Sequence, residues 1–238
     1  MERMNNDLIN MPRTKRGLAT LNNILSAAAQ VFYEKGYHSA SINEITRVAG
    51  VASGTFYTYF ESKYDLYKFL LLQCSHTIRK NLSTMVKKCQ TRLEIEEEGM
   101  RAWLEFAMEN QYMYHIIWES MYVDYNLFES YYVTFQKSYK KGLDAAKAAG
   151  EIAEDIDTEV LAYTLMGASN FLGLNWCLFK NDASLIDHVT EQFMKIIRGE
   201  AFVQTTKKKN IRQNTETDES AERKFRFRVT VDNPGEDL

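Results

Sequence analysis

Residues 49–63 read Ala49-Gly50-Val51-Ala52-Ser53-Gly54-Thr55-Phe56-Tyr57-Thr58-Tyr59-Phe60-Glu61-Ser62-Lys63. Gly50 stands where a helix should stop, and Gly50-Val51-Ala52 is a tight connection. Ser53 is a good N-cap for a helix running to about Tyr59, with Phe56 and Phe60 at i and i+4 facing inward. Gly54 and Thr58 then point the opposite way, with Thr55 and Tyr57 on the flanks. A short helix with a small N-terminus and a polar outer face suits insertion into a DNA major groove.

Upstream, Leu21, Ile24, Leu25, Ala28, Val31 and Phe32 recur at helical spacing over 17–35, before Gly36. Ser41 with Glu44 three residues on carries a capping-box pattern, and Ile42, Ile45, Val48 and Ala49 give the next helix its apolar stripe. Downstream, Ser62 with Asp65 opens a long helix expected over 63–88. A long first helix, a short second one, a turn and a short third make a helix-turn-helix. Further helices are expected over 94–109, 111–122, 126–149, 158–180 and 184–198, with Ser184 and Asp187 capping the last.

Composition agrees with an all-α fold. The 238 residues hold two prolines, Pro12 and Pro234, so nothing between them forbids long helices, and 11 glycines are few for a turn-rich β protein. No apolar run reaches the length of a membrane span, and no secretory leader is visible, which implies a cytoplasmic protein. Cys74, Cys89 and Cys177 are odd in number, far apart and without metal-ligand spacing, fitting reduced thiols. The net charge of −3 hides an asymmetry. Arg13, Lys15, Arg16, Lys35, Arg47 and Lys63 outnumber Glu34, Glu44 and Glu61 over 11–63, as a phosphate-binding module requires.

The ordered string Phe32 to Gly36-Tyr37, Ser41-Ile42-Asn43-Glu44-Ile45 and Ala49 through Lys63 with Leu66 resembles the N-terminal pattern of the TetR family, the tetracycline-repressor-like regulators. The resemblance covers about 50 residues, and its one departure is Thr46 where Ala usually follows the Ile. It implies an N-terminal three-helix helix-turn-helix domain plus a C-terminal helical ligand-binding and dimerisation domain. The expected organisation is a flexible basic arm at 1–16, the helix-turn-helix at 17–63, the effector and dimer domain at 64–199, and a polar tail at 200–238. DNA contacts are expected from Ser41, Ala52, Ser53, Gly54, Thr55, Tyr57, Thr58, Tyr59 and Lys63. Thr55 and Thr58 would reach base edges, the two tyrosine hydroxyls and Lys63 the phosphates. Arg13, Lys15 and Arg16 could track the backbone. Without arginine on the reading helix one half-site would bind weakly, so a homodimer on palindromic double-stranded operator DNA is expected.

By resemblance the dimer would form from 158–180 and 184–198, where Leu161, Leu165, Ala168, Phe171 and Leu172 make a stripe. Gly167 and Gly173 inside that helix imply close packing of a partner or room for a ligand. The stretch Trp103 to Phe135 is dense in aromatics, suiting a pocket for a small lipophilic or acyl effector, with Trp103, His115, Trp118, Glu119, Tyr122 and Phe171 as candidate lining. The function expected is a repressor released by that effector. The alternative is a DNA-bound adaptor that recruits a protein partner. No catalytic set, metal site or cofactor is expected: His38, His76, His115 and His188 are scattered, and no nucleophile elbow or phosphate-cradling glycine loop is present. Phe225 to Val231 alternates apolar and polar like a strand, inside an otherwise polar tail.

Overall fold

A computed structural model describes residues 8–201, and these are helical throughout. The strand-like run at 225–231 lies outside the described residues. In chain order the helices are α1 (Lys15–Ser39), α2 (Ile42–Val48), α3 (Ser53–Phe56), α4 (Lys63–Met85), α5 (Arg92–Glu109), α6 (Gln111–Val123), α7 (Tyr125–Ala148), α8 (Thr158–Gly173) and α9 (Ile186–Ile197). A 3₁₀ turn at Val86–Lys88 extends α4, and a π turn at Leu174–Phe179 extends α8. The helices expected from periodicity are all present, with ends shifted by a few residues.

Local chemistry sets most of the ends. Thr14 accepts the Gly17 N–H at 3.0 Å and starts α1 two residues ahead of the expected start. Gly36, at φ 76° and ψ 162°, breaks the rod, a conformation that favours glycine. Ser41 caps α2 by accepting the Glu44 N–H at 3.2 Å. The return half of the expected capping box does not form, because the Glu44 carboxylate pairs with Lys35 and Arg47 instead. Thr91 and Glu94 build a complete capping box at α5.

Two caps differ from expectation. Ala52, not Ser53, is the N-cap of α3, and the Ser53 hydroxyl donates to Asn43 Oδ1 at 3.2 Å. The helix is a single turn, ending at Phe56 and followed by turns through Tyr59. At α9, Asp182 rather than Ser184 supplies the capping carboxylate, accepting the Ser184 N–H at 3.0 Å ahead of a 3₁₀ turn. Asp187 turns away to pair with Arg101 on α5.

The apolar interior has two parts. The first joins α1–α4 and extends into Phe106 of α5 and Met113, Ile116 and Ile117 of α6. The second is built from α5, α7, α8 and α9 around Leu104, Leu143, Ala162, Cys177 and Phe193. Helix α6 therefore belongs as much to the N-terminal head as to the C-terminal bundle, and it packs chiefly on α1. Gly173 lets the bundle close: a Cβ there would lie 2.0 Å from the Tyr114 hydroxyl and 3.1 Å from Trp103 Nε1. The glycine makes room for the chain's own aromatics rather than for a partner or a ligand. No described helix is long and apolar enough to cross a membrane.

Candidate functional site

The outer face of the head carries Ser41, Ala52, Ser53, Gly54, Tyr57 and Thr58, all exposed, with Thr55 half-buried. Phe56 and Phe60 face inward as expected and are 0% and 1% exposed. Their rings, 5.7 Å apart, fix the roll of α3 and so present the opposite face. Tyr57 is 58% exposed and its hydroxyl is free to meet an outside acceptor. At Gly54 a Cβ would find nothing within 4 Å, so no internal packing requires glycine there.

Two of the expected DNA-contact residues turn inward. Tyr59 is 6% exposed, and its hydroxyl donates to the Gly17 carbonyl at 3.1 Å. The reading that Tyr59 lies off the apolar face is corrected: the chain leaves the helix after Phe56, which rotates Tyr59 into the core. Lys63 donates to the carbonyls of Tyr37 at 2.6 Å and Ala40 at 2.7 Å, with its Nζ 4.4 Å from the Tyr37 ring centroid. Partial burial lowers its pKa. Its ammonium closes the end of α1 instead of facing outward.

The arm is corrected in part as well. Ile9 is buried, and the Asn10 N–H donates to the Tyr59 carbonyl at 2.9 Å, so residues 8–14 strap the head. Arg13, Lys15 and Arg16 remain exposed. A surface groove joins Thr14, Arg16 and Thr20 of the strap and α1 to Ala52 and Thr55 beside α3. Thr14 and Thr20 escaped the sequence reading because only the fold brings α1 against α3.

In the C-terminal bundle a cavity of about 320 Å³ opens between α4, α5, α7, α8 and α9. Leu82, Trp103, Phe135, Met166 and Phe193 supply apolar wall, and Arg92, Glu96 and Tyr139 form a polar end. Of the six residues expected to line a pocket, Trp103 does so, with its Nε1 donating to the Ser169 carbonyl at 3.0 Å. The other five are corrections. Tyr122 and Phe171 are 78% and 65% exposed, and Trp118 and His115 also lie on the outside. Glu119 is committed to the head, accepting the Tyr37 N–H at 2.6 Å. Helix α6 is apolar nearly all round, so its sequence does not show which side faces in.

The polar end is an ion pair held on both sides. Arg92 Nε donates to Glu96 Oε1 at 2.6 Å, and the Tyr139 hydroxyl donates to the other carboxylate oxygen. Burial, and then Glu96, hold the Tyr139 pKa well above its ordinary value, so it stays a donor. Burial likewise pushes the Cys74 thiol up to about 12 and the Cys177 thiol up to about 11, which removes both as nucleophiles. No group of three or more His, Cys, Asp or Glu is placed to hold a metal among the described residues.

The apolar face of α8 also differs from expectation. Leu165 is buried, while Leu161, Ala168 and Leu172 pack on the second core. The outward side is instead Val160, Tyr163, Phe171 and, past the π turn, Phe179, with Gly167 open to solvent-side approach.

Comparison with known proteins follows the same division. The pattern of the bacterial regulatory proteins, tetR family, matches residues 24–69, which span most of the head and the start of α4. The HTH-type transcriptional activator FasR of Mycolicibacterium smegmatis is 27% identical over 113 residues, 48% of this chain and 50% of that protein. The chain thus spans about half the length of that relative. The fatty acid degradation regulator FadR from Bacillus halodurans superposes with a TM-score of 0.66 at 18% identity, covering 77% of this chain and 97% of that one. FadR from Bacillus subtilis, solved in complex with stearoyl-CoA, gives 0.63 at 18% identity, covering 76% and 100%. At such identities the two structures establish a shared fold.

Proposed function

Because the chain belongs to the TetR family of bacterial regulatory proteins, we propose that it is a dimeric, ligand-responsive transcription regulator that binds palindromic operator DNA and is released by an acyl-type molecule. The observation that carries the DNA reading is the exposed Ala52–Thr58 face, with Gly54 open where nothing in the protein needs a glycine. Such a surface allows a backbone or base edge to approach closely. Ser41, Ser53, Thr55, Tyr57 and Thr58 are its contact residues. Thr14, Arg16 and Thr20 line the groove beside them and extend the contact to phosphates. Tyr59 and Lys63 act from behind, fixing the α1 ends against which the reading face is set.

The partner is a second copy of the chain. Val160, Tyr163, Phe171 and Phe179 expose a run of large apolar side chains along one side of α8 and its π turn, and Ile196 of α9 adds to it. Large exposed apolar patches mark interaction surfaces, and a two-headed reader needs a twofold partner. The effector site is the cavity between α4 and α9, whose volume and mostly apolar wall suit an acyl chain. The FadR relative bound to stearoyl-CoA supports that ligand class. An effector acts only if it favours a conformation in which the two heads are mis-spaced.

The test is selection of duplexes from a random pool by the purified full chain, followed by fluorescence anisotropy on the selected site. A twofold-symmetric site, a steep loss of affinity with salt, and release by palmitoyl-CoA are expected. Failure to select any sequence, or selection of a single asymmetric half-site by a monomer, would overturn the reading.

A further inference from the structure

We propose that the Arg92–Glu96–Tyr139 cluster makes the cavity selective for a neutral acyl carbonyl, such as an ester, thioester or amide, over a free fatty acid. Glu96 is the discriminating residue. The inference rests on the cavity being the effector site and states what its polar end accepts.

The cluster is almost closed on itself. The side chains of Arg92 and Glu96 are 10% and 9% exposed. Both Glu96 oxygens are engaged, one by Arg92 Nε at 2.6 Å and the other by the Tyr139 hydroxyl. The guanidinium lies 5.1 Å from the Tyr139 ring centroid, and Gly142 leaves space for it, since a Cβ there would sit 2.9 Å from Arg92 Nη1. Glu151 accepts the Arg92 backbone N–H and anchors the residue at the start of α5. Arg92 Nη2 stands beside the Glu96 carboxylate, yet it is buried without a hydrogen bond. That leaves a donor for an acceptor brought by the ligand.

The charges decide which acceptor. The positive charge of Arg92 is already balanced by Glu96, so an arriving carboxylate would place a second negative charge beside the first in a space with little water. Like charges brought together in this way are strongly disfavoured. A neutral carbonyl oxygen takes the same Nη2 hydrogen bond and adds no charge. Arg79, on the α4 wall of the cavity, is engaged in an interaction of its own. The cluster therefore reads the chemistry of the acyl head group, while Trp103, Phe135, Met166 and Phe193 accept the chain.

The experiment is calorimetric titration of the full chain with dodecanoate and with N-dodecanoylethanolamine, which share a chain and differ in head-group charge. The amide is expected to bind at least about tenfold more tightly. In Glu96→Gln the shape and the Tyr139 contact remain while the negative charge goes, so the preference should shrink or reverse toward dodecanoate. Where that variant leaves Arg92 too costly to bury and fails to fold, R92L/E96L removes both charges together, and the two compounds should then bind alike. Equal or tighter binding of dodecanoate by the wild type, or an undiminished preference in either variant, would overturn the role of Glu96. Binding of neither compound by the wild type would bring down the cavity reading and this inference with it, an outcome distinct from both binding equally.

Discussion

The Glu119 carboxylate of α6 accepts the backbone N–H of Tyr37 at 2.6 Å, next to the residue where Gly36 takes φ 76° and ψ 162°. A polar side chain from the C-terminal bundle thereby holds the end of α1. Around that point Lys63 Nζ sits over the Tyr37 ring, Tyr37 and Tyr67 meet edge-on at 4.9 Å, and the Tyr67 hydroxyl donates to the Ile116 carbonyl at 2.6 Å. Helices α1, α4 and α6 are tied together there, and α4 also forms one wall of the cavity through Ile78 and Leu82. In the proposed function this junction is where a shift of α4 reaches the reading head.

Gly36→Ala should be costly for two separable reasons. The backbone is left-handed, and the added Cβ would lie 2.7 Å from Glu119 Oε1. A loss of about 1–3 kcal/mol is expected in denaturant unfolding. Combining it with Glu119→Ala should cost less than the sum of the two single changes, because the clash and the hydrogen bond share one carboxylate. Strict additivity would show that Glu119 does not hold this turn.

The two glycines of α8 should respond oppositely to alanine. At Gly173 the Cβ would overlap the Tyr114 hydroxyl, so destabilisation of about 1–3 kcal/mol is expected, eased by adding Tyr114→Phe. At Gly167 nothing lies within 4 Å, and alanine should raise intrinsic helix stability by about 0.5–1 kcal/mol. If the outer face of α8 meets a second copy, Gly167→Ala will also weaken the dimer in sedimentation equilibrium. An unchanged dimer constant would move the interface away from Gly167.

Removing single hydroxyls should sort the two tyrosines of the reading turn. Tyr57→Phe is expected to leave the melting temperature in place and lower operator affinity by about 0.5–1.5 kcal/mol, the scale of one hydrogen bond. Tyr59→Phe should lower stability by a similar amount, because its hydroxyl serves the Gly17 carbonyl inside the head. Anisotropy and thermal unfolding on both variants check the pair, and a swap of the two phenotypes would reverse their assignment.

Alkaline pH should unfold the protein through its buried phenols. Burial, with help from Asp124, pushes the Tyr64 pKa up to about 12, and burial alone does the same at Tyr132. Tyr67 and Tyr114 are raised further, chiefly by burial. An unfolded chain releases these protons near the ordinary value of 10.0, which the folded chain does not. Their stabilising contribution is complete below that value and is lost as the pH climbs through the folded values. Urea midpoints measured from about pH 8 upward should be level at first and fall beyond about pH 10. A midpoint that rose over that range would show that groups other than these phenols govern alkaline stability.

Much of the head was legible because its signals are local. Gly36, Ser41, Gly50 and Ser62 act on backbone groups a few residues away, so position in the chain fixes their effect. Phe56 and Phe60 share a face whatever the rest of the fold does. Tyr59 was misread because continuing α3 by one turn seemed natural, whereas the helix stops at Phe56 and the turn swings the ring inward. Lys63 was misread because a charged residue at a helix start looks solvated until the α1 carbonyls are brought to it.

The cavity shows where such reasoning stops. Aromatic density over 103–135 pointed to a pocket, yet Trp118, Tyr122 and Phe171 face outward and Glu119 faces the head. Arg92, Glu96 and Tyr139 meet only when α5 packs against α7. By itself the sequence determined the helices, most of their caps, the inward pair of α3 and the family. The tertiary structure alone decided which side of α6 and α8 is buried, which polar groups pair across helices, and where the cavity lies. Caps and periodicity depend on bonds made within one turn of helix, whereas the roll of an apolar helix and the pairing of distant charges are set by neighbours far away in the chain.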